Sequence, residues 1–179
     1  MTRITCEARV DGLDRWTVLR LPADASRRLP SRGQVAVSGT LNGRPFQTVL
    51  EPDGAGGHWM KLEDPLRRAA SVSPGDTAGI DMAIADSWPE PTVPPDLAKA
   101  LARAPKPVKD LWRAITPMAR WEWVRWVNAT ANAATRERRV EVTVSKMSNG
   151  KRRPCCFDLS SCTDPELSRN GRLRVPSTP

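Results

Sequence analysis

No stretch of this chain is long and apolar enough to cross a bilayer as a helix, which takes about 20 consecutive apolar residues. A membrane-spanning helical protein is therefore excluded. The first residues, Met1-Thr-Arg-Ile-Thr-Cys-Glu, lack the apolar core of a secretory leader, so an unprocessed cytoplasmic protein is expected. Cysteines number four, and without a leader they read as reduced thiols rather than as a disulfide framework. Histidine occurs once, at His58, which leaves little imidazole for catalysis or metal binding. The glycine loop Asp53-Gly-Ala-Gly-Gly lacks the Gly-Lys-Ser/Thr ending of a phosphate-binding loop and opens no long helix. No sequence signature of a nucleic-acid-binding fold occurs. These absences disfavour an enzyme and imply no cofactor and no metal.

Positive charge and proline are plentiful. The 179 residues carry a net charge of +8, with an isoelectric point near 10.0. That favours acidic partners: nucleic acid, an anionic surface or a phosphorylated ligand. Of seventeen prolines, most cluster between Pro89 and Pro117 and towards the C-terminus. Trp88-Pro-Glu-Pro-Thr-Val-Pro-Pro forbids a central strand or a helix interior, so it divides the chain.

Before that divide the pattern is β. Residues 2–10, Trp16 to Leu21, Gln34 to Leu41, Arg44 to Leu50, His58 to Leu62 and Thr77 to Ile84 read as six short strands. Val35 and Val37 share one face, as do Ile80, Met82 and Ile84. Asn42-Gly43 between two strand-like runs is a hairpin signal, because both residues tolerate positive φ. Asp64 is expected to cap a short helix opened by Pro65. Six short strands with tight turns predict a small closed β-barrel, since closure removes exposed edges.

After the divide the pattern is helical. Asp96 is expected to cap a helix over 97–103, and Val108 to Ile115 forms another, with Leu111, Trp112 and Ile115 on one side. Thr116 then caps a long helical stretch running to Arg139. Trp123, Val124, Val127, Ala131 and Ala134 fall on its broad apolar face, Trp121 and Trp126 flank it, and Glu122, Arg125 and Asn132 lie opposite. Aromatics at helical spacing usually pack, so a core helix is the first reading; a tryptophan-edged groove is the second. Val140, Val142 and Val144 suit a strand, but Val140, Val144 and Met147 suit a helix, and helix is preferred.

Gly39-Thr-Leu-Asn-Gly-Arg-Pro-Phe, the glycine loop before His58, Leu66-Arg67 and Pro74-Gly75-Asp76 resemble a small barrel family of unknown function. Val93-Pro-Pro-Asp-Leu, Trp126-Val and Thr135-Arg-Glu-Arg-Arg-Val resemble the helical YdeI/OmpD-associated domain, also labelled bacteriocin-protection, which often follows that barrel. Lys151-Arg-Arg-Pro-Cys-Cys-Phe, with Cys162-Thr, is similar to the tail of one subset. The resemblance implies fold and domain order, not an activity. One departure is Ala131-Asn132, where the pattern has Ala-Lys.

The expectation is thus an α+β protein: barrel over 1–87, proline linker over 88–95, three to four helices over 96–150, and a basic, cysteine-containing tail over 151–179. Its function is expected to be non-enzymatic, a binding or stress-protection module. A small anionic ligand or a protein partner would sit at the barrel–helix junction, contacted by His58, Trp59, Arg67, Trp123, Trp126, Arg136 and Arg139. The first alternative is weak nucleic-acid binding through Arg136, Arg138, Arg139, Lys146 and the run 151–153. The second is a hydrolase or transferase using His58 with Asp53 or Glu63. Cys155, Cys156 and Cys162 are too irregularly spaced for a standard zinc site; an arginine-activated thiol is the lesser option.

Overall fold

The computed structural model describes residues 3–154, 164 and 166–176. They form two compact units. One comprises the chain up to Pro89 together with Arg172 onward, the other Glu90–Gly171.

The first unit is a closed antiparallel barrel. Its strands are β1 (Arg3–Leu13), β2 (Trp16–Arg20), β3 (Val35–Leu41), β4 (Arg44–Pro52), β5 (His58–Lys61) and β6 (Thr77–Ile84), in the order β1-β2-β5-β4-β3-β6. Alternation along β6 turns Ala78, Ile80 and Met82 inward, where they meet Ile4, Val10, Leu19, Leu41 and Leu50. The Asn42-Gly43 turn has φ of 46° and 76°, as a primed two-residue hairpin demands. Asn42 also donates from Nδ2 to the Ala70 carbonyl and accepts from the Gly79 amide, so the turn is stitched to the barrel rim. Gly39 sits where β3 crosses close to β6. A Cβ there would overlap the Asp81 carbonyl oxygen and come within 2.6 Å of the Met82 Cα, so only glycine fits.

Two short helices accompany the barrel, α1 (Ala23–Arg27), which packs against β1, and α2 (Asp64–Ala69), which packs against β4. Asp64 does not cap α2. Glu63 occupies the cap position without a side-chain bond, and Asp64, one residue inside, accepts from Arg67 Nε at 3.2 Å. The acid still suits the positive end of the helix. A feature invisible in the tail's composition is its return: the Leu173 amide donates to the Asp53 carbonyl at 3.0 Å, and Arg174 pairs with Asp14.

The second unit contains α3 (Pro95–Arg103), α4 (Lys106–Ala114), α5 (Pro117–Asn128) and α6 (Ala133–Ser148). Its prolines are helix starters: α3, α4 and α5 each hold one in the first turn, where the missing N–H costs nothing. Helix α6 packs on the other three, burying Val140, Thr143 and Met147. Together with Leu97, Val108, Trp123 and Val127 these make a core separate from the barrel's. Thr116 caps α5 as expected, accepting from the Ala119 amide at 3.2 Å. Asp96, by contrast, lies within α3, whose cap position is Pro94.

The helix expected to run unbroken to Arg139 is two helices. It stops at Asn128, and α6 starts anew at Ala133. Thr130 Oγ1 accepts from the Asn132 amide at 3.2 Å, and Asn132 Oδ1 accepts from the Thr135 amide at 2.9 Å. Side chains that bond locally to backbone compete with the helical ladder, and here they end one helix and cap the next. Ala131 and Ala134 are exposed, so they do not continue the apolar face. Glu122, placed on the polar side, is about three-quarters covered. Burial raises its carboxyl above the ordinary range, opposed by Arg153 and Arg125.

Candidate functional site

In the barrel, the side chains singled out from the sequence are engaged locally. His58 is buried, and its Nε2 lies 3.0 Å from the Gly33 carbonyl oxygen. A carbonyl only accepts, so Nε2 carries the proton and Nδ1 is bare. Nδ1 meets no protein partner among the described residues. Burial pushes the imidazole below its ordinary range, with the Gly33 bond working the other way. Asp53 Oδ1 accepts from the Ala55 and Gly57 amides, both at 2.8 Å. The glycine loop therefore wraps its own carboxylate. Glu63 pairs with Lys61 at 3.2 Å. His58, Asp53 and Glu63 thus face separate partners. Trp59 is buried, donating to the Pro52 carbonyl at 3.1 Å, and Arg67 turns back onto Asp64.

In the helical unit, arginines close helix ends. Arg120 Nη1 donates to the carbonyls of Ile115 at 2.6 Å and Trp112 at 3.0 Å, satisfying the end of α4. Its other edge forks onto Glu90 at 2.8 and 2.6 Å. Arg139 does the same for α5, donating to Trp126 at 2.6 Å and Ala129 at 2.9 Å. Arg136 holds Asp96 through two bonds, at 2.6 and 3.0 Å. That bonding keeps the Asp96 carboxyl below its ordinary range. Last-turn carbonyls have no helical partners, and a guanidinium supplies several donors in a plane.

Trp123 and Trp126 meet edge to face at 6.1 Å. Trp123 is fully buried, and its Nε1 donates to the Arg152 carbonyl at 3.0 Å. Lys146 Nζ lies 5.6 Å from the Trp126 ring centre and donates to the Pro154 carbonyl at 2.9 Å. Arg152 reaches back to the Ala114 carbonyl at 3.3 Å. Trp123 and Lys146 therefore pin the basic run 151–153, and Arg152 ties it to the C-terminal end of α4.

At that end of the unit lies a groove of about 340 Å³, lined by Leu101, Ala102, Lys109, Trp112 and Arg113. Lys109, Trp112 and Arg113 stand at i, i+3 and i+4 on α4, so they share a face. Trp112 is half-buried and supplies an apolar wall. Asp110 is shared between Lys106 at 2.6 Å and Arg113 at 3.6 Å, one carboxylate against two cations. The sequence reading missed this trio because Trp112 was grouped with Leu111 and Ile115 as packing. The usable signal was the two cations spaced to flank the indole.

Charge is segregated along the chain. Residues 90–154 hold fourteen Lys and Arg against six Asp and Glu, the whole net +8, whereas residues 3–89 hold eleven of each. Among the described residues, no group of three His, Cys, Asp or Glu side chains is placed to hold a metal. Cys155, Cys156 and Cys162 lie outside the described residues. No helix of the described residues is long and apolar enough to cross a membrane.

A closed six-stranded barrel followed by a unit of short, proline-started helices defines a two-domain α+β protein. Residues 6–82 match the family described as Domain of unknown function (DUF1905). Residues 90–150 match the family described as Bacteriocin-protection, YdeI or OmpD-Associated. The two matches follow one another along the chain in the order its motifs imply. No curated protein matches it.

Proposed function

We propose that this protein is a non-enzymatic recognition module whose helical domain binds a small anionic ligand in the Trp112 groove. The observation that carries the reading is the groove itself: an indole wall flanked by Lys109, with no acidic partner among the described residues, and by Arg113, which holds only half of Asp110. An apolar wall with a few convergent charges is the usual make-up of a ligand site. At about 340 Å³ the groove sits at the low end of ligand pockets, roughly 300–1,000 Å³, so it suits one ring-sized group and its charge. The neutral barrel supports the same division of labour. A family described by protection and association rather than by a reaction also favours binding over turnover. This reading departs from the junction site expected from the sequence by resting on the helical domain alone.

The test is calorimetric titration of the full chain with adenosine monophosphate and with 8-anilinonaphthalene-1-sulfonate, both ring-bearing anions. Saturable binding that Lys109→Glu weakens at least tenfold is the expected result. Equal affinity for the uncharged nucleoside adenosine, or no binding of either anion, overturns the reading.

A further inference from the structure

Residues 90–154 have few acids, and five of the six are already tied. Glu90 holds Arg120, Asp96 holds Arg136, Asp110 holds Lys106, Glu122 faces Arg153 and Glu141 faces Arg138. Among the described residues, those without an acidic partner include Lys99, Arg103, Lys109, Lys151 and Arg152, while Arg139 and Lys146 are held by carbonyls. Four of these lie on, or next in sequence to, residues at one end of the domain. Lys109 lines the groove. Arg152 touches Ala114, the residue after Arg113, and Lys151 adjoins it. Arg103 follows Ala102, which lines the groove from α3. Cations thus adjoin the groove residues in sequence both on α3 and, through the Arg152 contact with Ala114, in the run 151–153.

Resting on the anion-recognition reading above, we infer that the ligand is a segment of single-stranded nucleic acid. One unstacked base lies on Trp112, and its neighbouring phosphates run along Arg103, Lys109, Arg113 and Arg152. Three physical points select this class. A lone ring-sized slot takes one base, and every base has a face to stack whatever its identity. A duplex keeps its bases paired and stacked, so it cannot fill the slot without the cost of extrusion. A free mononucleotide carries one phosphate, which leaves the flanking cations unused, whereas a strand brings a phosphate to each. Trp123 acts as a positioning residue, because its bond to the Arg152 carbonyl fixes one end of the track.

The experiment is fluorescence anisotropy of labelled oligothymidylate and oligouridylate with the full chain, from about 50 to 200 mM salt. Four phosphate contacts at about −0.7 each predict a slope near −3 in the logarithm of affinity against the logarithm of salt. Lys109→Glu with Arg113→Glu should roughly halve that slope. Trp112→Ala should weaken binding about tenfold to a hundredfold, the worth of one stacked base. Because Trp112 also packs on the domain core, Trp112→Phe serves as the folded control and should lose less. Thymidine monophosphate, a duplex of the same length and polyglutamate separate the outcomes. Binding of the mononucleotide as tight as that of the strand overturns the strand and keeps the groove. Equal binding of duplex or polyglutamate overturns it in favour of bulk charge. No binding of any anion overturns both readings.

Discussion

Replacing Arg120 by Met removes a guanidinium while keeping most of the apolar stem. The side chain is 14% exposed, and its partner Glu90 is 63% exposed. Two groups of bonds are lost, and they are not equal. The pair with Glu90 is a surface ion pair, worth about 0–1 kcal/mol. The bonds from Nη1 to the Ile115 and Trp112 carbonyls are charge-assisted and partly buried. Each such bond is worth about 1.5–3 kcal/mol, and the freed carbonyls at the end of α4 would lack donors. The replacement should therefore cost about 2–4 kcal/mol, and Glu90→Gln about 1 kcal/mol or less. Urea unfolding followed by near-ultraviolet circular dichroism reports on the helical domain, which holds most of the tryptophans. Comparable losses in the two variants, or a coupling above about 2 kcal/mol in the double variant, would refute the account, since Arg120 would then act chiefly through Glu90.

Further outcomes follow from single contacts. His58 is held neutral by burial, so its folded pKa lies below the unfolded value near 6.5. A group whose proton binds better in the unfolded chain stabilises the fold at high pH. Barrel stability should fall as pH drops below about 6.5, reaching its floor at the lowered folded pKa, and His58→Gln should flatten that slope; an unchanged thermal pH profile rules this out. Gly39→Ala should cost several kcal/mol, about 3 or more, through backbone overlap with β6. A melting temperature within about 2 °C of the parent would contradict the close crossing. Asn132→Ala should cost about 1 kcal/mol for the lost α6 cap, measured by urea midpoint, with Asn132→Asp near neutral.

The barrel was legible because its signals are local. Strand alternation at Ile80 and Met82, and two adjacent residues able to take positive φ at Asn42-Gly43, need no knowledge of the rest of the chain. The helical half was legible in number and order, since prolines mark helix starts as well as linkers. The break between α5 and α6 was not. Its cause is a choice between two bonds for the same amides, those of Asn132 and Thr135, and periodicity does not record which wins. Arg139 read as part of a basic surface, yet it acts along the axis on the end of the preceding helix, as Arg120 does, a direction a helical wheel omits. The tail's return was hidden because it rests on single contacts of Leu173 and Arg174, which composition does not record. The groove combines side chains of α3 and α4, so its second wall appears only once the two helices are packed.

The Asp53 carboxylate lies inside a loop whose amides point at it. A visiting phosphate would compete with a tethered rival, present at an effective concentration no free ion matches. Those two amides are thereby taken from within, which fits the proposal that places anion recognition in the helical domain. Cutting that tether, as an Asp53→Gly exchange would, trades rigidity of the rim for a cradle open to outsiders.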